Sequence, residues 1–190
     1  MRLLSILLVC CSLSVMAEVR VVDDNGDEVR LAVPAQRIIS LAPNITEVLF
    51  HIGAGDQIVG ADEYSNYPAA AKQILRVNNH AAANYELILS LKPDLVIAWQ
   101  SGNGDKIINP LRKLGIPVFV VETHQIERIP NLFRRFGQLS GNNDLAAAHR
   151  GIYPAFAAVG RCPDRQVCGQ NFLSNMGSAT DYAKWQTYGQ

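Results

Sequence analysis

The chain has 190 residues, 48% of them hydrophobic and 18% charged, and its 17 basic side chains balance 17 acidic ones. That is enough apolar material for one domain with a sizeable core. With no basic run and no net charge, nucleic acid and anionic membrane surfaces are poor candidates for partners.

Arg2 precedes an apolar run from Leu3 to Val15, and Val15-Met16-Ala17 places small residues ahead of the polar Glu18 and Arg20. This order predicts a secretory signal peptide over residues 1–17, cleaved after Ala17. The run is shorter than the roughly 20 residues that span a bilayer. Cys10 and Cys11 lie inside it, without the small preceding residue of a lipid-anchor cysteine. The expected product is a soluble, exported protein of the periplasm.

Val19 to Val22 and Val29 to Val33 flank Asp24-Asn25-Gly26, which predicts a hairpin. Arg37 to Leu41 reads as a buried strand that Pro43 breaks. Asn44 or Thr46 is then expected to cap a helix through Glu47, Leu49 and Ile52, ended by Gly53 and Gly55. Ile58 to Ala61 is a further strand. Asn84 caps a helix from Tyr85 to Leu91, and Lys92-Pro93-Asp94 turns the chain into the apolar strand Leu95 to Trp99. Gly102-Asn103-Gly104 reads as a loop, Ile107 to Leu114 as a helix, Ile116 to Val121 as a fourth strand and Ile126 to Leu139 as a helix. An alanine-rich helix is expected from Asp144 to about Val159. Strands alternating with helices predict an α/β fold with a mostly parallel sheet covered by helices.

Nothing in this pattern points to an enzyme, and no catalytic residue is assigned. Gly53-Ala54-Gly55 follows a helix rather than opening one, so it is a cap and not a phosphate loop. No G-x-S-x-G elbow occurs. The acid pairs Asp23-Asp24 and Asp62-Glu63 read as solvated turns. The four histidines, His51, His80, His124 and His149, have no metal-ligand spacing, so no metal site is expected; one built from His51, His80 and His124 would need three distant segments to converge. The aromatic residues carry more information. Trp99 closes the most apolar strand, and Tyr64 and Tyr67 follow another. In an open α/β sheet ligands bind outside the carboxyl ends of the strands, where aromatic rings offer flat apolar area. Packing in the core is the alternative for Trp99 and Tyr67.

The segments Arg37-Ile38-Ile39-Ser40-Leu41-Ala42-Pro43-Asn44, Tyr64-Ser65-Asn66-Tyr67-Pro68 and Leu91-Lys92-Pro93-Asp94-Leu95-Val96-Ile97-Ala98-Trp99 resemble the cobalamin-binding proteins of ABC importers. The broader relatives bind siderophores and haem. The resemblance spans about Val19 to Val159. It implies one lobe of a two-lobed periplasmic binding protein, with the lobes joined by a long helix and a corrinoid held between them as transported ligand, without any cofactor. It implies a monomer that delivers to an ABC importer permease. Tyr64 and Trp99 match aromatics that contact the corrin, His80 falls where a tryptophan occurs in a relative, and Glu86 matches an acid that docks on the membrane component. Residues 18–141 then form the ligand-binding lobe and residues 142–160 the start of the interlobe helix.

Residues 161–190 show neither helical nor strand period where a second lobe should begin. A shifted reading frame is one account: Met176-Gly177 is encoded ATG-GGN, and one nucleotide further on this reads TGG, tryptophan. A divergent short tail is the other. On either account Cys162 and Cys168 are expected to form no functional disulfide, although export permits one. The alternatives to a corrinoid carrier are a siderophore- or haem-binding relative and a periplasmic domain that no longer binds ligand.

Overall fold

The computed structural model describes residues 18–79, 82–122 and 128–149. The predicted signal peptide, His80, His124 and residues 150–190 with both cysteines of the tail lie outside the described residues.

The chain opens with the predicted hairpin, β1 (Val19–Val22) paired antiparallel with β2 (Glu28–Leu31). Next come β3 (Ile38–Ser40) and α1 (Pro43–His51), then β4 (Ile58–Asp62). A short 3-10 turn leads to β5 (Arg76–Asn78), followed by α2 (Tyr85–Ser90) and β6 (Leu95–Trp99). The chain continues through α3 (Gln100–Lys113), β7 (Val118–Val121), α4 (Ile129–Ser140) and α5 (Asn143–His149). The five later strands form one sheet in the order β5-β4-β3-β6-β7, and each neighbouring pair in it is parallel. The α/β expectation therefore holds.

Alternation along the strands sorts side chains to two cores. Ile38, Ile97, Phe119 and Val121 pack on one face with Ile45 and Leu49 of α1, Leu132, Phe133 and Phe136 of α4, and the hairpin residues Val21, Val29 and Leu31. Ile39, Val96, Ala98, Val118 and Val120 point the other way, against Ile88 of α2 and Ile107, Ile108 and Leu111 of α3. Burial on both faces explains why β6 and β7 read as unbroken apolar runs.

Several expectations are corrected. The strand ends before Pro43, as expected, but neither Asn44 nor Thr46 caps the helix: Pro43 is the first residue of α1, with Ala42 as N-cap and no side-chain cap. A proline fits there because the first helical N–H has no intrahelical partner. Strand β5 is an addition. The Gly102–Gly104 segment is not a plain loop, since it lies inside α3, which kinks at Gly104 with φ 62° and ψ 173°.

Of the acid pairs only Glu63 is exposed as a solvated turn residue; Asp62, Asp23 and Asp24 are withdrawn from solvent in whole or in part. Asp23 is 5% exposed, and its carboxylate accepts the Val120 N–H at 3.2 Å. Asp24 accepts the Glu122 N–H at 2.7 Å and pairs with Arg135 at 2.7 Å, and the Arg135 guanidinium lies 5.2 Å from the Phe119 ring centre. The hairpin turn thus covers the outer edge of β7, satisfying backbone groups that an edge strand leaves open.

Candidate functional site: an aromatic rim at the strand ends

Parallel pairing brings the carboxyl ends of β3, β4 and β6 to one side of the sheet. Trp99 is the last residue of β6, and Tyr64 and Tyr67 follow β4 by a few residues. All three rings reach solvent, with Tyr64 54%, Tyr67 42% and Trp99 38% exposed. The core-packing alternative is therefore set aside for Tyr67 and Trp99. A partly exposed indole and two exposed phenols on one rim form a flat, apolar surface with polar edges.

The loops beneath these rings are tightly held. Asp62, at the end of β4, accepts the Tyr64 N–H at 2.8 Å and the Asn78 amide at 2.8 Å. Its burial raises the carboxyl above its ordinary range, against the lowering effect of those two hydrogen bonds. Arg76 donates to the Asp62 and Ser65 carbonyls at 3.1 and 2.9 Å. A buried chain of hydroxyls, Ser40 to Thr46 to Ser65 with both links at 2.8 Å, ties the same loop to β3 and α1. The Tyr64 segment is thus anchored to three elements.

Trp99 is held differently. Its N–H donates to the Asn103 side chain at 2.8 Å. One turn on, the Ser101 N–H and hydroxyl donate to Glu122 at 2.7 and 2.9 Å, and the Asn25 amide of the hairpin donates to Gln100 at 2.9 Å. The indole lies directly on Gly102: a Cβ there would fall 2.3 Å from Cε3 and 2.8 Å from Cζ3 of the ring. Glycine is needed at 102 for this close approach, not for its dihedral freedom.

Glu86 is exposed in the first turn of α2, as expected. Asn84 caps that helix by accepting the Leu87 N–H at 3.0 Å. His51 is part of α1, with Nδ1 bonded to the Glu47 carbonyl at 2.8 Å. Among the described residues no group of three or more His, Cys, Asp or Glu side chains could hold a metal ion. Among them, too, no helix is long and apolar enough to cross a membrane. Two open depressions, of about 350 and 420 Å³, lie off the rim: one beside Phe50, Ile58 and Leu75, the other between the hairpin and α4.

Sequence reasoning missed Asp62, Asn78, Gly102, Asn103 and Glu122 as parts of this rim. Only Asn103 carried a signal, lying four residues after Trp99 where an Asn side chain can close a turn. Asn78 and Glu122 meet the rim through the tertiary fold, which no local spacing reports.

A parallel sheet covered on both faces, with exposed aromatics at its carboxyl edge, defines one lobe of a two-lobed α/β binding architecture. Residues 38–150, more than half of the chain, match the family described as periplasmic binding protein. The chain belongs to the periplasmic binding protein family. It is 42% identical over 118 residues to the Vitamin B12-binding protein of Vibrio cholerae serotype O1 (strain M66-2), an overlap covering 61% of this chain and 43% of that one. The Vitamin B12-binding protein of Yersinia pestis (strain Pestoides F) is 39% identical over 119 residues, 61% of this chain and 42% of the relative. The chain spans less than half the length of these curated relatives.

Among solved structures, the periplasmic Vitamin B12 binding protein BtuF of Vibrio cholerae superposes with a TM-score of 0.63 at 37% identity, over 66% of this chain and 50% of that one. The heme binding protein HmuT superposes with a TM-score of 0.63 at 23% identity, over 80% of this chain and 52% of its own. At that identity the likeness speaks to the fold alone.

Proposed function

We propose that this chain forms one wall of a corrinoid-binding site and belongs to the substrate-binding component of an ABC importer. One observation carries the reading: Tyr64 and Trp99 present exposed rings on the same strand-end rim, each with its backbone N–H held by a side chain. A flat, largely apolar macrocycle is the ligand shape such a pair suits, because rings stack on it without needing deep enclosure. The names of the Vibrio and Yersinia relatives support cobalamin as that macrocycle. The role is capture and delivery, not catalysis.

The finer parts of the reading follow the same resemblance. Residues 1–17 direct export to the periplasm. Glu86 docks on the permease, where an exposed acid meets basic residues and sets orientation more than affinity. The protein works as a monomer, and α5 begins the interlobe helix over residues 142–160. His80, which stands where a relative has tryptophan, makes an altered ligand contact. The rim supplies contacts to one face of a flat corrinoid.

Titration with cyanocobalamin, followed by visible absorbance and calorimetry, tests the proposal. Saturable one-to-one binding that weakens about tenfold on Trp99→Ala or Tyr64→Ala is expected. Preference for haemin over cobalamin would transfer the site to the haem-binding relatives, and identical binding by both variants would remove the rim from the account.

A further inference from the structure

Tyr64 and Trp99 leave different strands, and neither loop alone fixes how one ring stands relative to the other. The hydrogen bonds beneath them converge on a single acceptor. Asn103 accepts the Trp99 N–H through Oδ1 and donates from Nδ2 to the Leu41 carbonyl at 3.0 Å. From the other side, the Asn78 amide nitrogen donates to Asp62, which holds the Tyr64 N–H, and reaches the same Leu41 carbonyl at 3.4 Å. Leu41 follows the central strand β3 and is 1% exposed, so its carbonyl oxygen must find partners inside the protein.

Asparagine suits both positions because one short side chain carries an acceptor and a donor together. Asn78 is 6% exposed, and its Oδ1 has no hydrogen-bond partner among the described residues. A buried acceptor left in that state costs stability. A requirement for the Nδ2 group to face Asp62 and Leu41 accounts for it.

Resting on the corrinoid reading above, we propose that Asn103 and Asn78 are positioning residues. By meeting on the Leu41 carbonyl, they set the orientation of the Trp99 ring relative to Tyr64 for a flat ligand. Neither is a contact residue; each acts through the backbone of the ring-bearing loop.

The test uses the 190-residue chain with Trp185→Phe, which leaves Trp99 as its one indole. Acrylamide quenching and anisotropy of Trp99 are measured without ligand, at a temperature where circular dichroism shows each variant folded, alongside a cyanocobalamin titration. Asn103→Asp is the deciding variant: it keeps the acceptor for the Trp99 N–H but loses the donor to Leu41. Asn103→Asp and Asn103→Ala are both expected to raise quenching about twofold, through local loosening of a ring now partly shielded. Both should weaken cobalamin binding about tenfold. Asn78→Ala, whose side chain bonds Leu41 and Asp62, should shift Trp99 in the same direction. The double variant should fall short of the product of the single effects, because both act through one carbonyl.

An Asn103→Asp chain that quenches like its parent would overturn the proposal, confining Asn103 to its own turn, and this outcome decides even where Asn78→Ala fails to fold. A folded Asn78→Ala chain that is silent at Trp99 would overturn it too. A parent chain that ignores cobalamin would refute the proposed function instead, and the ligand-free quenching would still decide the positioning claim.

Discussion

Adding one methyl group at Gly102 should displace Trp99 while leaving the fold intact. The new Cβ would stand 2.3 Å from Cε3, 2.8 Å from Cζ3 and 3.1 Å from Cδ2 of the indole, where ordinary contact begins near 3.4 Å. The ring must therefore move by more than about 1 Å, and because it is 38% exposed it has open space to move into. Replacing a helical glycine by alanine contributes about 0.5–1 kcal/mol. The lost ring contact and overpacking cost about 1–3 kcal/mol. The net change is a loss of at most about 2.5 kcal/mol, which lowers the melting temperature by no more than roughly 5–10 °C in a chain of this size. The binding effect should be larger in proportion: a displaced indole forfeits its stacking contribution, about 1–1.5 kcal/mol, or close to tenfold in Kd. Thermal melts, Trp99 fluorescence in the Trp185→Phe background and cobalamin titration measure the three consequences. A Gly102→Ala chain with unchanged Trp99 emission and unchanged cobalamin affinity would refute the placement of the ring on the glycine.

Three further outcomes are expected. The Asp62 carboxyl is raised by burial, so its folded form binds a proton more tightly than its unfolded form. Stability from this group is present below the ordinary value of 3.8 and is lost as pH rises from there through the raised value; Asp62→Asn should flatten that fall in melts taken across the window, and an unchanged slope would contradict it. Arg135→Ala strips the half-buried Asp24 carboxylate of its cationic partner and should cost about 3 kcal/mol by denaturant unfolding, whereas a cost under 1 kcal/mol would show that the pair does not hold the hairpin. Glu86→Lys should impair cobalamin uptake in cells and leave cobalamin binding by the purified chain intact; loss of binding would contradict the docking role.

How far the sequence reached depended on whether the cause was local. Strand β6 was legible to the residue because Leu95 to Trp99 is apolar without interruption and Lys92-Pro93-Asp94 marks its start. The hairpin was legible from Asn25-Gly26 between alternating runs. Strand β5 was not, since Arg76–Asn78 has three residues and a single apolar side chain, Val77, which is too little for a periodic signal. The cap of α1 was misplaced at Asn44 or Thr46 because proline, which ends a strand, also fits the first turn of a helix. The rings of Tyr64 and Trp99 could be placed on one rim from strand order alone. Their supports could not be, because Glu122 reaches Ser101 across 21 residues and Asn103 reaches Leu41 across 62. Asp23 and Asp62 looked solvated for the same reason: the backbone N–H of Val120 and the side chain of Asn78, which make their burial tolerable, arrive from distant sequence.

The central claim is that the Tyr64–Trp99 rim holds a corrinoid, and a calorimetric titration of cyanocobalamin into the 190-residue chain and into its Tyr64→Ala/Trp99→Ala double variant tests it most directly. The account predicts one-to-one binding by the parent and loss of measurable binding in the double variant. Equal affinity in the two chains, or no binding by the parent under conditions where haemin binds, would contradict it.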